Sequence, residues 1–372
     1  MIRVGITGLG KVAHLHAQGL CNLQNADFRA VRSRSIDQAI NFAAEYGVSA
    51  YDDIRKMVVA EKLDLVIVCT PHPNHRLAVD EALQSGAHVL VEKPLAANLA
   101  DCDAMINTAT ACGRKLGVVS QRRFYAPVQR LKSAIDAGKI GKPALATVQM
   151  LGWRDQQYYQ SDPWRGSWKE EGGGVLVNQA PHQLDILLWL MGEVDELFGV
   201  WSNLNHGYIE VEDTALAIVR FKNGGLGNIV VSNAQKPGIY GKIHVHGSNG
   251  ASVGVQTEGG AMFVAGMSEI AEPPVNDLWS VSGEEPLLDE WNSSDTAFFN
   301  SINATVYYIE RQLEDFLYAI NNDTEPLVTG AEGRRTVELF TAIYRSHRDN
   351  RPIKFPLRHE TDRDDFDGRK AT

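Results

Sequence analysis

The residues able to do chemistry in this sequence fall into a few groups, and the sharpest is Glu92-Lys93-Pro94. It closes the aliphatic run Val89–Leu95, which reads as a buried strand that Pro94 stops from pairing further. A lysine fixed at the carboxyl end of a strand stands where open α/β sheets bind ligands, and it is a candidate general acid/base. Taken alone, the same three residues also describe a surface lysine in a βα loop. A second group is Asn178, His182 and Asp185, spaced four and three apart, which one helix over Val175–Met191 would carry on a single face. The third is Trp153, Arg154, Tyr158, Tyr159, Trp164, Arg165 and Trp168, seven aromatics and arginines within sixteen residues. Aromatic faces and guanidinium donors suit a polyhydroxylated ring, and they equally suit a loop packed over an interface.

These groups need a scaffold, and the first 120 residues supply one. Ile2–Thr7 reads as a strand, followed by Gly8-Leu9-Gly10-Lys11-Val12-Ala13 and a helix to about Leu23. This is GxGxxA in a strand-turn-helix setting. Gly8 makes the turn, Gly10 lets backbone approach a pyrophosphate, and Ala13 permits close helix–strand packing. The helix start at Lys11 and Val12 offers N–H groups to phosphate. The second strand, Phe28–Val31, ends in Arg32-Ser33-Arg34-Ser35, where an NAD site would carry an acid for the ribose 2′-hydroxyl. Ser33 and Arg34 would instead bind a 2′-phosphate, so NADP(H) is expected over NAD(H).

A helix over Ile36–Tyr46, a strand near Ser49–Tyr51, the strand Leu63–Cys69, a helix over Arg76–Ser85, a helix over Asp101–Cys112 and the strand Leu116–Ser120 complete an alternating series. Such alternation signals a parallel, doubly wound sheet. Thr70, Pro71 and His75 follow the Leu63–Cys69 strand and would line the nicotinamide side. His72 and His75 lack a carboxylate or cysteine to complete a metal set, so no metal is expected.

Beyond Gln121 the pattern changes. A helix near Ala126–Ala137 and a strand over Ala144–Leu151 precede the aromatic stretch, and Gly172-Gly173-Gly174 opens the His182 helix. Phe198–Leu204, Thr214–Phe221, Gly225–Asn233 and Lys242–His246 read as strands with hairpin turns at Asn223-Gly224-Gly225 and Ser248-Asn249-Gly250, hence an antiparallel sheet. Gly259–Asp295 has little periodicity and reads as a long loop; Asn303–Asn321 and Ala331–His347 read as amphipathic helices. Three segments are therefore expected: a dinucleotide-binding domain over 1–121, a substrate domain over 122–357, and a disordered tail over 358–372.

The chain of 372 residues has a net charge of -10, which argues against nucleic acid as a partner. No apolar run approaches the roughly 18 residues of a membrane span. The four cysteines show no paired spacing, and no secretory signal is read at the start, so reduced thiols in the cytoplasm are expected.

Together, Gly8–Ala13, Thr70-Pro71 with His75, Glu92-Lys93-Pro94, Gln121–Phe124, Gly172–His182 with Asp185, and Glu212-Asp213-Thr214 resemble the Gfo/Idh/MocA oxidoreductases. The resemblance runs over nearly all of Met1–Pro356. It implies a Rossmann domain, with Glu92 and Lys93 on its cofactor side, followed by an α/β domain whose large open sheet supports dimers or tetramers. It also implies pyranose or cyclitol substrates, with Lys93 and His182 at the catalytic centre. Many relatives carry Asp where this chain has Asn178, which moves proton transfer more firmly onto Lys93. The expected reaction is reversible hydride transfer between nicotinamide and a ring carbon. Lys93 serves as acid/base, His182 holds the reacting oxygen, Asn178 orients the substrate, and Arg122, Tyr158, Trp164, Arg165 and Asp185 contact it. Two other readings fit the same residues: an isomerase, dismutase or glycosidase running an internal redox cycle on tightly held cofactor, and a silent sensor of dinucleotide or sugar.

Overall fold

The computed structural model describes residues 1–257, 272–358 and Glu360. Within the first compact unit the chain alternates strands β1 (Ile2–Thr7), β2 (Ala26–Arg32), β3 (Ser49–Tyr51), β4 (Leu65–Val68), β5 (His88–Val91) and β6 (Leu116–Val118) with helices. The helices are α1 (Lys11–Asn22), α2 (Ile36–Tyr46), α3 (Ile54–Glu61), α4 (His75–Gln84) and α5 (Leu99–Cys112). All pairings are parallel, in the order β3-β2-β1-β4-β5-β6. This is the doubly wound sheet that the alternation predicts. Its central strands are aliphatic because helices cover both faces: Val4, Ile6, Leu65 and Ile67 are fully buried. The order reverses between β1 and β4, so the turns after those strands flank the crevice where such sheets bind ligands.

Helix α3, unread in the sequence, starts because Asp53 accepts a hydrogen bond from the Lys56 N–H at 2.8 Å. Strand β5 is shorter than the expected Val89–Leu95: its pairing stops at Val91, and Glu92 to Leu95 lie beyond the ladder. The Glu92 N–H makes a last bond to the Val68 carbonyl, and the Glu92 side chain takes the Lys93 N–H.

The second unit holds an eight-stranded sheet of order β13-β12-β11-β7-β10-β9-β8-β14. Its elements in chain order are α6 (Ala126–Asp136), β7 (Pro143–Trp153), α7 (Gln156–Gln160), α8 (Val175–Asn178), α9 (Pro181–Met191), β8 (Val194–Ser202), β9 (Thr214–Phe221), β10 (Leu226–Ser232), β11 (Ala234–Gly247), β12 (Ser252–Gln256), β13 (Val275–Trp279) and α10 (Leu287–Phe299). The sheet is antiparallel except for the β7–β10 pair, which is parallel. Along β9 the residues alternate buried and exposed: Ala215, Ala217 and Val219 face the core, while Leu216 and Ile218 face solvent.

Two expectations need correction here. The single helix over Val175–Met191 is two helices, because Pro181 has no N–H to continue the ladder and stands instead at the start of α9. The long loop expected over 259–295 contains strand β13 and helix α10; its residues 259–271 lie outside the described residues. Most of the tail expected over 358–372 is likewise outside them. Of its two described residues, Arg358 accepts from Arg345 and Glu360 pairs with Arg348.

Helix α11 (Ala304–Asn322) then returns to the first unit, which takes 304–334 as well as Met1–Gln121. Ile309, Leu313, Phe316 and Leu317 join the core of the first sheet, and the Gln312 amide bonds the Val118 carbonyl and the Ser120 N–H at 2.7 and 2.8 Å. Helix α12 (Gly330–Asp349) and strand β14 (Ile353–Lys354) end the described fold.

Candidate active site

The glycine turn after β1 has the geometry of a phosphate cradle. Gly8 sits at φ 86° and has no room for a side chain, since a Cβ there would come within 2.5 Å of the Thr70 nitrogen. Gly10 faces open space: a Cβ there would meet nothing within 4 Å. Helix α1 begins beside it with no side-chain cap, which leaves its first N–H groups and the positive end of its dipole for an anion. Ala13 is fully buried against the sheet. The Thr7 and Thr70 hydroxyls, at the ends of β1 and β4, are buried with no hydrogen-bond partner among the described residues. Open space, uncapped N–H groups and orphaned hydroxyls fit a dinucleotide at the switch point. At the end of β2, the buried Ser33 hydroxyl donates to Gln38 Oε1 at 2.6 Å, and the Gln38 amide bonds the Leu9 carbonyl at 3.2 Å. Arg34, next to it, is exposed.

The loop carrying Lys93 is held by two buried side chains. Glu92 Oε1 lies 2.8 Å from His16 Nε2 on α1, while Glu92 Oε2 accepts the Lys93 N–H at 3.1 Å. Burial would raise the Glu92 carboxyl, but His16 and the Lys93 charge outweigh it and keep Glu92 below the usual range. His75 lies between the two strand-end loops. Its Nδ1 is 3.0 Å from the Pro94 carbonyl and its Nε2 is 2.8 Å from the Thr70 carbonyl. Fully buried and engaged at both nitrogens, His75 ties the β4 loop to the β5 loop, and it does so from the interior where a nicotinamide contact was expected. Burial holds it below the ordinary histidine range, against the pull of the carbonyls. Lys93 itself is half-buried, and its bond to Pro94 is cis.

In the second unit Tyr158 is the hub of a buried polar network. Its hydroxyl oxygen accepts from Arg165 Nη1 at 2.5 Å, from Gln179 Nε2 at 2.8 Å and from Asn178 Nδ2 at 3.2 Å. Burial raises the phenol to about 12, against the Arg165 charge. Asn178 also donates to Glu171, whose other oxygen accepts the Gly166 N–H at 2.6 Å. Burial pushes Glu171 up to about 7 despite those donors and Arg165. Glu212 is its counterpart beneath the glycine run. It accepts from Gly174 N–H, Leu176 N–H and the Tyr344 hydroxyl, and burial lifts it to about 7 as well. Gly174 has to be glycine, because a Cβ there would lie 1.8 Å from the Glu212 carbonyl oxygen.

His182 is buried in the first turn of α9. Asp185, expected to touch substrate, does not present its carboxylate outward. It is bidentate to Arg123, at 2.7 Å from Nε and 2.6 Å from Nη2, with the two side chains 6% and 1% exposed. The helix break and this ion pair give Asn178 and Asp185 different partners, so the three residues do not form one polar stripe.

The aromatic stretch is also more of a core than its lack of period suggests. Arg154, Tyr158, Tyr159 and Trp168 are all buried. Trp153 and Tyr159 stack about His206, whose Nδ1 is 2.9 Å from Asp213 and whose Nε2 is 2.7 Å from the Arg154 carbonyl. Burial would raise Asp213, but His206 and two backbone N–H groups bring it down to about 2. Arg165 is half-buried: its guanidinium stacks on Trp164 at 4.4 Å and on Tyr158 at 4.3 Å, and its Nε lies 3.2 Å from Asp162. Glu171 and Gln179 were not singled out from the sequence. Glu171 ends the run Lys169-Glu170-Glu171, which reads as a solvated charge cluster. Among the described residues no three His, Cys, Asp or Glu side chains gather as a metal set, and no helix is long and apolar enough to cross a membrane.

Comparison with known proteins agrees with this fold. Residues 2–120 match an oxidoreductase family with an NAD-binding Rossmann fold, and residues 128–253 match the GFO/IDH/MocA C-terminal domain. The chain is 28% identical to the myo-inositol 2-dehydrogenase of Thermotoga maritima over 364 residues, covering 95% of this chain and 98% of that enzyme. It is 29% identical to the D-glucoside 3-dehydrogenase of Escherichia coli over 251 residues, covering 60% of this chain and 68% of that enzyme. Among solved structures it is similar to the WlbA dehydrogenase of Bordetella pertussis in complex with NADH and UDP-GlcNAcA. There the TM-score is 0.84 at 28% identity, over 96% of this chain and 98% of the other.

Proposed function

Because the chain belongs to the GFO/IDH/MocA family of oxidoreductases, we propose that it moves a hydride between a nicotinamide cofactor and a ring carbon of a sugar, cyclitol or sugar derivative. The observation that carries this reading is the held loop of Lys93. Glu92 and His75 fix it from below at the carboxyl end of β5, beside the crevice that opens at the glycine turn. Nicotinamide, when bound, supplies the hydride acceptor or donor. The residues of this chain handle the proton: Lys93 takes it from the substrate hydroxyl as the carbonyl forms and returns it in reduction. His182 holds the reacting oxygen, and Asn178, anchored by Glu171, orients the ring. Arg122, Tyr158, Trp164 and Arg165 contact the rest of the substrate. Relatives named for inositol and glucosides, and one solved in complex with UDP-GlcNAcA, support a carbohydrate class.

In this reading the unit built on Met1–Gln121 binds the dinucleotide, and the unit beginning at Arg122 binds substrate. Exposed Arg34 beside Ser33 favours NADP(H), although the family match and the WlbA relative speak for NAD(H) binding too. The solvent-facing apolar row of the second sheet, with Val200, Leu216, Ile218 and Leu226, suits a face shared between copies in a homodimer or homotetramer. The four cysteines, which show no paired spacing, suit the cytoplasm. The test is Lys93→Met: nicotinamide binding by fluorescence is expected to persist, while turnover falls by about two to four orders of magnitude. Retained turnover removes Lys93 from the mechanism.

A further inference from the structure

Glu171 is a buried acid that the proposed proton transfer leaves unused, and it stands against Asn178, the residue given the ring to orient. Its two oxygens have different neighbours. Oε2 accepts the Gly166 N–H at 2.6 Å, and Oε1 accepts from Asn178 Nδ2. Asn178 Nδ2 also reaches the Tyr158 hydroxyl oxygen, at 3.2 Å. An amide nitrogen carries two hydrogens, so both are committed, and the end that Asn178 turns to any other group is its carbonyl oxygen. The amide cannot reverse while Glu171 is ionised, because Oδ1 would then face a carboxylate oxygen, acceptor against acceptor.

A proton on Glu171 changes this. Oε2 already receives an N–H, so the proton sits on Oε1 and faces Asn178, setting donor against donor. With the amide turned over, Oδ1 accepts from Glu171 and from the Tyr158 hydroxyl, whose oxygen keeps Arg165 and Gln179 as donors. Nδ2 is then the end presented elsewhere. The surroundings keep this proton within reach of neutral pH. Burial lifts Glu171 to about 7 and Glu212 adds to the rise, while Gly166, Asn178 and the Arg165 charge oppose it. Tyr158 and Tyr159 of α7 face it as phenols that burial raises, Tyr158 to about 12, so both stay neutral over that range. Glu212, also lifted to about 7, takes its own donors from Gly174, Leu176 and Tyr344.

We propose, resting on the dehydrogenase reading, that Glu171 is a positioning residue for the transfer: ionised, it holds the Asn178 carbonyl oxygen out as an acceptor for a ring hydroxyl, and protonated, it reverses the amide. Glu171 itself touches neither ring nor cofactor in this scheme and acts through Asn178.

The test follows the Asn178 side-chain amide by NMR across neutral pH, in the full chain carrying isotopically labelled asparagine. Its signals, assigned by their loss in Asn178→Asp and by their closeness to the Tyr158 ring, are expected to move with a midpoint at about 7. In Glu171→Gln the side-chain oxygen stays with Gly166, the new N–H₂ faces Asn178, and the amide is held reversed at every pH, so its signals should not titrate. Oxidation of myo-inositol and D-glucose with NAD and NADP gives the second readout. Wild-type kcat/KM should rise roughly tenfold from one pH unit below the midpoint to one above, as the ionised fraction of a single acid does. Glu171→Gln should lack that limb and lie about 10- to 100-fold below wild type above the midpoint, the range of one misdirected hydrogen bond. Adding Asn178→Asp to Glu171→Gln should restore most of the rate, because a carboxylate accepts from the new amide with one oxygen and offers the other to the ring. A residue that only filled space would give neither the lost limb nor the rescue. Thermal unfolding checks the fold of each variant, and the wild-type titration stands as a test even if a variant fails to fold. Asn178 signals that stay fixed across neutral pH, or a double variant no better than Glu171→Gln, overturn the proposal and leave the dehydrogenase reading intact. Signals that titrate as expected in a protein that oxidises neither sugar uphold the pairing of Glu171 with Asn178 and count against the dehydrogenase reading.

Discussion

Replacing Asp185 by asparagine separates a structural carboxylate from a substrate contact. The change keeps the shape of the side chain and removes the charge that faces the Arg123 guanidinium, which lies 5.0 Å from the Trp189 ring. Both hydrogen bonds of the pair are short, at 2.7 and 2.6 Å, and neither partner has solvent to fall back on. Breaking a buried pair from one side costs about 3–5 kcal/mol. At about 2–4 °C per kcal/mol for a domain of this size, Asp185→Asn should lower the melting temperature by roughly 6–20 °C. Thermal and urea unfolding, followed by tryptophan fluorescence, measure the loss, and steady-state kinetics below the transition give KM. The expected KM is close to wild type, because the carboxylate faces Arg123. The double variant Arg123→Met with Asp185→Leu should recover more than half of the loss, since an apolar pair of similar volume replaces the ions. A loss below about 1 kcal/mol, the range of exposed ion pairs, would refute this reasoning. So would a raised KM at unchanged stability, which would return Asp185 to the substrate.

Further outcomes follow from other elements. Arg34→Ala should weaken NADPH binding about tenfold and leave NADH nearly unchanged; tighter NADH binding in the wild type would remove the NADP preference. Glu171, at about 7 in the folded chain against 4.5 as a free side chain, holds its proton where the unfolded chain has released it. Its contribution therefore destabilises the fold progressively as pH rises from about 4.5 to 7. Glu171→Gln should flatten that part of the curve in urea unfolding at stepped pH, and an unchanged slope would contradict the raised carboxyl. Ile218→Lys, at a position 65% exposed on the open sheet face, should dissociate the assembly in light-scattering measurements without loss of fold; a wild-type monomer would remove that interface.

Much of the first unit was legible because its information is local. Buried parallel strands need runs such as Leu65–Val68, helices need capping and apolar period, and GxGxxA at the first strand end places a phosphate cradle by backbone geometry alone. Glu92-Lys93-Pro94 could be put at a strand end for the same reason. The sheet hairpins of the second unit followed from their glycine turns. What tertiary structure decided was the partner of each polar side chain. Asn178, His182 and Asp185 read as three positions on one helix face until Pro181 splits the helix and Arg123, 62 residues earlier in sequence, takes the Asp185 carboxylate. His75 looks like a ligand-lining histidine until carbonyls from two separate loops close on it. Glu171 looks like solvated charge until burial puts it against Asn178. Residue type and spacing set what a side chain is able to do; whether it faces water, a ligand or a buried counter-charge depends on contacts between distant segments, and those have no local signature.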